Sequence, residues 1–311
     1  MIALGVDIGG TSIKGASITD KGEILDRFSL KMDRLAEPEI SYGKLCDEIE
    51  KFLKDKPYKN EIVGIGLGVP GILDRDAGIV KSSPNMPKWI NFKISDFVEK
   101  RLHLPVKIVN DASSAALGEA KFGTGKNYKN IVMITLGTGV GGGIIINGQL
   151  YDGLGGTGAQ LGHSVIRYNG RLCGCGRRGC LEAYASATAL IKEANVRKEK
   201  YPESGLNKAK EIDAKTVFDL ARSGDKLATK LVKEYITYLS EGLLNICNEF
   251  RPELILLSGG VANEGDYLIK KVESYMKRHH YGYVNAPKVP VKLASLGYDS
   301  GKIGAASLFF E

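Results

Sequence analysis

The feature that most constrains the fold of this chain is a pattern of strand, glycine turn and strand that occurs twice. The first copy has Gly9 and Gly10 between two apolar runs within residues 3–19. The second copy has the glycine-rich segment 137–143 between two apolar runs within residues 131–147. Because internal self-similarity is the sequence signature of duplicated structural units, this recurrence predicts two lobes, each headed by its own hairpin.

Helices and strands alternate after the first hairpin, which predicts an α/β chain. Apolar runs at residues 62–69 and 106–109 are typical of buried strands. The alanine-rich segment 111–122 favours a helix with Asp111 at its N-cap. Apolar residues at helical spacing predict a long helix over residues 227–250.

The chain has 311 residues, enough for two domains that each bury a core without disulfide support. We expect residues 1–110 to form a small N-terminal lobe, to which a C-terminal helix over residues 300–311 is joined. Residues 111–299 are expected to form a large lobe that includes a cysteine-rich segment, residues 163–182.

Composition and charge limit the classes of function. The longest apolar stretches are too short to cross a bilayer, and the first residues lack a secretory signal, so we expect a cytoplasmic protein with no membrane partner. The formal net charge is +7, but the basic residues are scattered among acidic ones. This distribution favours anionic small molecules and gives no basic stripe for a nucleic-acid partner.

The first glycine turn has the residue types of a phosphate-binding hairpin. Asp7, Gly9, Gly10, Thr11 and Lys14 lie in a strand, turn, strand context. Glycine amides and a hydroxyl suit phosphate oxygens, and the carboxylate of Asp7 suits the Mg²⁺ that accompanies ATP. A plain hairpin turn is the alternative interpretation of this motif taken alone.

Two further glycine turns follow strands: Gly137, Thr138 and Gly139 form one, and Gly259 and Gly260 lie in the other. Two phosphate hairpins with a glycine turn beside the adenosine form the nucleotide site of the actin-like ATPase fold, also called ribonuclease H-like. A P-loop and a dinucleotide fingerprint do not fit, because GK[ST] and a helix-opening GxGxxG are missing. We expect a two-lobed α/β fold with a mixed sheet flanked by helices in each lobe and a ligand cleft between the lobes.

Three of the five cysteines, Cys173, Cys175 and Cys180, lie within eight residues of one another. In the reducing compartment expected for this chain, such a cluster favours metal binding over disulfides.

The chain resembles the ROK family of sugar kinases over nearly its whole length. The resemblance rests on DIGGT from Asp7, GVPG from Gly68, VNDA from Val109 and the segment LGHSVIRYNGRLCGCGRRGCLEAYAS.

The last of these motifs is the most specific. It reads His163, nine residues, Cys173, one residue, Cys175, four residues, Cys180, and then Glu182. Three thiolates and one imidazole are a tetrahedral structural zinc set. The spacing therefore predicts a Zn²⁺ site made of His163 and the three cysteines.

The resemblance implies roles for several other residues. Asp111 would be the catalytic base, Asn110 would hold neighbouring ring hydroxyls, and Gly71 would belong to a wall of the sugar pocket. His163 would bind zinc with one nitrogen and a sugar hydroxyl with the other, and Glu182 would accept hydrogen bonds from the anomeric end of the sugar.

Two of these roles have plain structural alternatives. Asp111 as an N-cap would contribute only ~1 kcal/mol of helix stability. Glu182 has the alternative of an exposed carboxylate at a helix start.

One position departs from the family pattern. Three residues before the zinc histidine the family usually carries a glutamate that binds a sugar hydroxyl near C2, and this chain has Gln160. An amide lacks the charge that makes a carboxylate hydrogen bond about twice as strong. Weaker glucose binding and a changed preference at C2 are both open. Asn85, in a loop similar to one in the family, is a further candidate sugar contact.

These features predict an ATP-dependent hexose kinase that phosphorylates the primary 6-hydroxyl, with glucose as the first candidate. Mannose, allose, fructose or an N-acetylhexosamine are the alternative acceptors, and a donor other than ATP stays open. The resemblance also implies a homodimer or homotetramer. The rival interpretations are a non-catalytic sugar-binding protein and a ROK regulatory protein, of which the DNA-binding form is disfavoured because the first hairpin begins at Asp7.

Overall fold

The computed structural model of the protein describes residues 1–83, 86–282 and 284–310. The chain separates into two compact units by the density of its internal contacts. Unit 1 contains Met1–Lys129, Gly143–Ala159 and Ser295–Glu311, and unit 2 contains Asn130–Gly142 and Gln160–Ala294. The lobe limits predicted from the sequence, 1–110 and 111–299, stay a prediction.

The strands are given in chain order. They are β1 (Ile2–Ile8), β2 (Ser12–Thr19), β3 (Ile24–Lys31), β4 (Ile62–Val69), β5 (Ile72–Asp74), β6 (Ile79–Ser82), β7 (Phe92–Lys93), β8 (Val106–Asn110), β9 (Ile131–Leu136), β10 (Val140–Ile146), β11 (Gln149–Tyr151), β12 (Leu254–Ser258) and β13 (Val291–Leu293).

The α-helices follow the same order. They are α1 (Pro38–Leu53), α2 (Ile94–Leu102), α3 (Asp111–Phe122), α4 (Glu182–Ala185), α5 (Ala187–Arg197), α6 (Ala214–Arg222), α7 (Lys226–Glu249), α8 (Asp266–His279) and α9 (Ser300–Ala306). Within the described residues, every helix is too short or too polar to span a bilayer.

Unit 1 is built on a mixed sheet with the strand order β3-β2-β1-β4-β8. The first three strands form an antiparallel meander, and β4 and β8 add in parallel to β1. Strands β5, β6 and β7 form a separate small antiparallel sheet. Strands β1 and β4 are buried on both faces, which explains their nearly continuous apolar sequences, whereas the edge strand β8 exposes Lys107.

The two faces of the main sheet in unit 1 are covered differently. Leu4 and other apolar residues on one face pack with the buried side of α1 in a large cluster. On the other face, α9 lies so close to the sheet that a Cβ at Gly5 would be 1.9 Å from the carbonyl oxygen of Lys302. A Cβ at Gly66 would be equally close, 1.9 Å, to the carbonyl oxygen of Ala305. Glycine at these positions is therefore what lets α9 pack against the strands.

The second sheet has the order β11-β10-β9-β12-β13. Strand β12 is parallel to both β9 and β13, and β10 is antiparallel to β11. When the strands of each sheet are numbered from one to five along the chain, both sheets have the spatial order 3-2-1-4-5. The recurrence of strand, glycine turn and strand in the sequence thus corresponds to two sheets of the same topology.

Helix α7 is the longest helix of unit 2, and the spacing of its apolar residues predicted it from the sequence. Leu227, Leu231, Tyr235, Leu239 and Leu243 are all buried, at successive spacings of four residues. The prediction of an α/β protein with a mixed sheet in each lobe is confirmed by these elements.

Two local predictions were wrong. Asp111 is not an N-cap, because β8 continues to Asn110 and the helix starts directly after it. The strand predicted at 144–147 begins earlier, at Val140, so the last glycines of segment 137–143 lie in the strand and not in the turn. A Cβ at Gly143 would be 2.4 Å from that of Ala116, so this glycine serves close packing.

Candidate functional site

Unit 1 gathers candidate residues at the carboxyl ends of three neighbouring parallel strands. In the strand register, Asp7 of β1 pairs with Gly68 of β4, and Val69 of β4 pairs with Asn110 of β8. Asp111 follows at once as the first residue of α3. Open α/β sheets bind ligands at this edge, so the fold itself brings together residues that are about a hundred positions apart in sequence.

Asn110 stabilises this edge through its side chain. Its Oδ1 accepts the backbone N–H groups of Ala112 at 3.1 Å and Ser113 at 3.3 Å, which makes Asn110 the N-cap of α3. Its Nδ2 donates to the carbonyl oxygen of Gly71 at 3.4 Å. Asn110 therefore has a structural role that the sequence had assigned to its neighbour.

Gly71 is required by its backbone conformation. Its φ is +120°, and a Cβ there would lie 2.3 Å from the carbonyl oxygen of Ser82. No side chain fits this position, so glycine is explained without a ligand.

Asp7 and Asp111 are partly buried carboxyl groups that influence each other. Desolvation, reinforced by the charge of Asp111, raises the pKa of Asp7 to about 6. Lys302 and Lys14 act in the opposite direction, through their positive charge. Desolvation also raises the pKa of Asp111, although hydrogen bonds to its carboxylate from the Ala112 N–H and from Asn110 oppose the shift. Such shifts are typical of acid–base sites, although structural networks produce them too.

Two residues behind Asp7 were missed by the sequence interpretation. A Cβ at Gly301 would be 3.3 Å from Cγ of Asp7, so a small residue in α9 makes room for that carboxyl group. Lys302, next in the same helix, is buried and forms an ion pair with Asp299 at 2.7 Å. Nothing in the local sequence pattern connects either residue with Asp7.

The first glycine turn is a tight hairpin connection. The N–H of Gly9 donates to the carbonyl oxygen of Ser12 at 3.0 Å, and the side chains of Thr11 and Lys14 are exposed. The ammonium of Lys14 lies 5.8 Å from the centroid of the Tyr298 ring. Among the described residues, a Cβ at Gly10 would contact the Arg34 side chain at 3.6 Å, which is an ordinary distance, so the packing of the turn does not by itself require glycine there.

The second and third glycine turns follow adjacent parallel strands of unit 2, β9 and β12. Gly259 has a φ of +89°, and a Cβ there would be 2.5 Å from the carbonyl oxygen of Leu136. By contrast, a Cβ at Gly137 or Gly260 would meet no atom of another described residue within 4 Å, its chain neighbours apart. The turns thus lie side by side with open space at two glycines, where a ligand can approach the backbone closely.

The four predicted metal ligands are brought together in unit 2. One ring nitrogen of His163 and the sulfur atoms of Cys173, Cys175 and Cys180 all lie within 4.8 Å of one another. The Sγ atoms of Cys175 and Cys180 are 3.6 Å apart, and Sγ of Cys173 is 3.7 Å from Nδ1 of His163. A tetrahedral site with Zn–S bonds of about 2.3 Å has ligand–ligand edges of about 3.8 Å. The residues present therefore fit Zn²⁺ by type, number and spacing.

Burial of Cys173 and Cys180 also suits a cation, whereas Cys175 is exposed. Desolvation raises the pKa of Cys173 to about 12 and also raises the pKa of Cys180. Buried thiols of this kind stay protonated unless a positive charge stabilises their thiolates. A metal ion is what makes a cluster of three thiolates favourable.

Glu182 contacts both this cluster and the second glycine turn. Its Oε1 accepts a hydrogen bond from the Cys173 thiol at 3.4 Å and lies 4.0 Å from Nδ1 of His163. Its Oε2 accepts the backbone N–H of Val140 at 3.0 Å. Glu182 does start a helix, α4, as the plain alternative expects, but its carboxylate is partly buried and hydrogen-bonded.

Gln160 is exposed and lies just before a short 3₁₀ turn, Leu161–His163, so it is three residues from the metal cluster along the chain. Asn85, the remaining candidate sugar contact, lies outside the described residues.

Comparison with known proteins gives three kinds of similarity. A model of the ROK family matches residues 3–311. A glucokinase of Halalkalibacterium halodurans is 37% identical over 311 residues, covering 98% of this chain and 94% of that protein. A xylose repressor of Bacillus spizizenii is 31% identical and covers 99% of this chain, which corresponds to 77% of the repressor.

Among solved structures, a ROK family glucokinase from Streptomyces griseus, in complex with glucose and AMPPNP, matches with a TM-score of 0.82. Its sequence identity is 33%, and the match covers 99% of both chains. The two-lobed actin-like fold expected from the glycine turns is confirmed by this similarity.

Proposed function

The chain belongs to the ROK family, and we propose that it is an ATP-dependent hexose kinase that phosphorylates the primary 6-hydroxyl of its sugar, with glucose as the first substrate to test. The observation that carries this proposal is the pair of desolvated carboxyl groups, Asp7 and Asp111, at the carboxyl edge of the unit 1 sheet. Phosphoryl transfer depends on positioning and charge rather than on covalent chemistry, and such a pair supplies both a proton acceptor and a site for a cation.

Asp111 is proposed as the general base. Its carboxylate would accept the proton of the sugar hydroxyl while that oxygen attacks the γ-phosphorus of ATP and ADP leaves. The raised pKa of Asp111 strengthens its carboxylate as a proton acceptor. Activity is therefore expected to fall as the pH drops through that raised pKa.

Asp7 is proposed to hold the nucleotide-bound Mg²⁺, which would neutralise charge on the phosphates when bound. The backbone amides of Gly9 and Gly10, with Thr11 and Lys14, would bind phosphate oxygens from unit 1. The second turn, Gly137, Thr138 and Gly139, is proposed as another phosphate contact, and Gly259 and Gly260 as the contact for the adenosine. The open space at Gly137 and Gly260 supports these assignments.

The sugar is proposed to contact Gln160, His163 and Glu182, together with Asn110, Gly71 and Asn85. Because Nδ1 of His163 lies 3.7 Å from Sγ of Cys173, its Nε2 is proposed as the nitrogen that binds a hydroxyl group. His163 and the three cysteines would hold a structural Zn²⁺ that fixes the segment carrying Glu182. We further propose a cytoplasmic homodimer or homotetramer with lobes at residues 1–110 and 111–299.

The decisive experiment is a coupled assay of ADP release against a panel of hexoses, with a matched isothermal titration of each sugar. The proposal expects sugar-dependent ATP consumption, with glucose among the best acceptors and glucose 6-phosphate as the product. A phosphate on another position, or turnover with none of the sugars, contradicts it.

The similarity to a xylose repressor favours a second candidate, a sugar-binding protein without kinase activity. That candidate expects sugar binding in the titration and no ADP release in the assay, even with zinc and magnesium supplied. Under that candidate Asp111 accepts no proton. The wild type and Asp111→Asn would then both bind sugar, and neither would release ADP.

A further inference from the structure

The segment that follows the last cysteine, residues 182–187, makes two hydrogen bonds to the second glycine turn. The carboxylate of Glu182 accepts the N–H of Val140 at 3.0 Å. Five residues later, the N–H of Ala187 donates to the carbonyl oxygen of Gly137 at 2.9 Å. The turn is thus held at both of its ends by one short piece of chain.

The carboxylate of Glu182 also packs directly against the turn. A Cβ at Gly139 would lie 2.4 Å from Oε2 of Glu182. Only glycine therefore lets the carboxylate approach as closely as it does, and the absence of a side chain at Gly139 is explained by Glu182 within the protein itself.

The same segment is fixed from behind by aromatic and charged groups. The N–H of Arg171 donates to the hydroxyl of Tyr184 at 2.7 Å, and the guanidinium of Arg171 forms an ion pair with Glu193 at 3.0 Å. That guanidinium also lies 4.6 Å from the centroid of the Tyr184 ring and donates to the carbonyl oxygen of Ala183 at 3.3 Å. Segment 182–187 consequently has little freedom to move independently of Arg171, which lies two residues before Cys173.

We infer that Glu182 is a positioning residue for the nucleotide, because it links the metal cluster to the phosphate-binding turn. One carboxylate oxygen faces Cys173 and His163, and the other fixes the amide of Val140. A hydrogen bond to an ionised group is about twice as strong as a neutral one, so this contact is well suited to hold the amides of the turn in a fixed direction. The inference rests on the proposed function and adds to it a role for Glu182 that is independent of the sugar.

The test measures the dissociation constant of AMPPNP with magnesium by isothermal titration, with no sugar present and with the zinc content of each sample determined. Glu182→Ala is expected to weaken nucleotide binding about tenfold, the equivalent of one charge-assisted hydrogen bond. Glu182→Gln, which keeps a carbonyl oxygen as acceptor, is expected to recover part of that loss. The control is Glu234→Ala, which removes a carboxylate of unit 2 that pairs with Arg197 at 2.8 Å and is not among the contacts that fix segment 182–187, and it should bind AMPPNP like the wild type.

A second arm covers the case in which Glu182→Ala does not fold. Removal of zinc from the wild-type protein by a chelator, with folding checked by circular dichroism, is expected to weaken sugar-free AMPPNP binding by a similar factor. The same treatment of Glu182→Gln should weaken AMPPNP binding less, because this variant has already lost part of the connection between the cysteine cluster and the glycine turn.

Unchanged AMPPNP affinity in folded Glu182→Ala, or in the folded zinc-free protein, would overturn this inference and leave the kinase proposal intact. A wild-type protein that binds no nucleotide would overturn the proposed function, and the inference with it. A loss of sugar affinity alone, with the sugar-free nucleotide affinity preserved, would assign Glu182 to the sugar only.

Discussion

The acidic edge of unit 1 and the metal cluster of unit 2 are built in opposite ways. Asp7 and Asp111 are separated by more than a hundred residues and meet because three parallel strands end side by side. The four candidate metal ligands lie within residues 163–180, and tight turns bring them together. The first site depends on the whole sheet, whereas the second depends on one loop and the ion it would bind.

This difference has an energetic consequence. Desolvation at the acidic edge raises the pKa of both carboxyl groups, so their ionised forms oppose folding. At the cysteine cluster, a bound cation would convert the cost of desolvating thiolates into a stabilising interaction. Removal of a charged group should therefore stabilise the first region, and removal of the ion should destabilise the second.

The largest effect is expected for Asp111→Ala. If Asp111 takes the proton of the sugar hydroxyl, turnover should fall by ~10²–10⁴ in steady-state assays while the protein stays folded. Asp26→Ala, which removes a unit 1 carboxylate that is paired with Lys56 at 2.8 Å, is the control and should retain most of its turnover. Near-normal turnover of a folded Asp111→Ala protein would show that this edge of the sheet is structural.

The next effect concerns the metal cluster. Zinc removal, or Cys180→Ser, should lower the free energy of unfolding by about 4 kcal/mol, because loss of a metal belongs to the most destabilising changes. Chemical denaturation with parallel measurement of zinc content tests this. Cys247→Ala, at a buried cysteine of α7, should leave the zinc content unchanged. Equal stability with and without zinc would contradict a structural role for the ion.

The third effect is an increase in the free energy of unfolding, opposite in sign to the effect of zinc removal, and it depends on pH. The pKa of Asp7 is raised from 3.8 to about 6, so its stabilising contribution is complete below pH 3.8 and is lost as the pH rises through 6. Asp7→Asn should therefore increase the free energy of unfolding at pH 8 by up to about 3 kcal/mol, since each pKa unit corresponds to 1.36 kcal/mol. The gain should disappear near pH 4.

Asp225→Asn is the matched control for that experiment. Desolvation acts on Asp225 too, but backbone N–H groups of Ala228 and Gly205 outweigh it and lower the pKa. This variant should be less stable than the wild type at pH 8 and approach it as the pH falls through the lowered pKa. The same sign for both variants in denaturation curves would contradict the assigned pKa shifts.

The smallest effect is expected at Gln160. If its side chain binds the hydroxyl near C2, Gln160→Glu should lower the KM for glucose about fivefold, because a charged acceptor strengthens the bond. The ratio of kcat/KM for glucose to that for mannose measures the preference at C2. Gln160→Ala provides the comparison without an acceptor, and three identical KM values would remove Gln160 from the sugar site.

The sequence was most informative where function depends on neighbours along the chain. The cysteine spacing predicted a ligand set that the structure places within 4.8 Å, because short loops with glycines leave few ways to separate these residues. The glycine turns were predicted with their flanking strands, apart from the start of β10, since apolar runs and turn residues are local signals. The long helix over 227–250 followed in the same way from its periodicity.

Only the tertiary structure decided the remaining roles, because they arise from contacts between distant segments. Asn110 proved to be the cap of α3 and a donor to Gly71, and Gly301 and Lys302 proved to lie beside Asp7. The bond between Glu182 and Val140 joins residues 42 positions apart. Periodicity and motif spacing carry no information about such pairs, since the folded sheet and the packing of helices against it determine which side chains and amides meet.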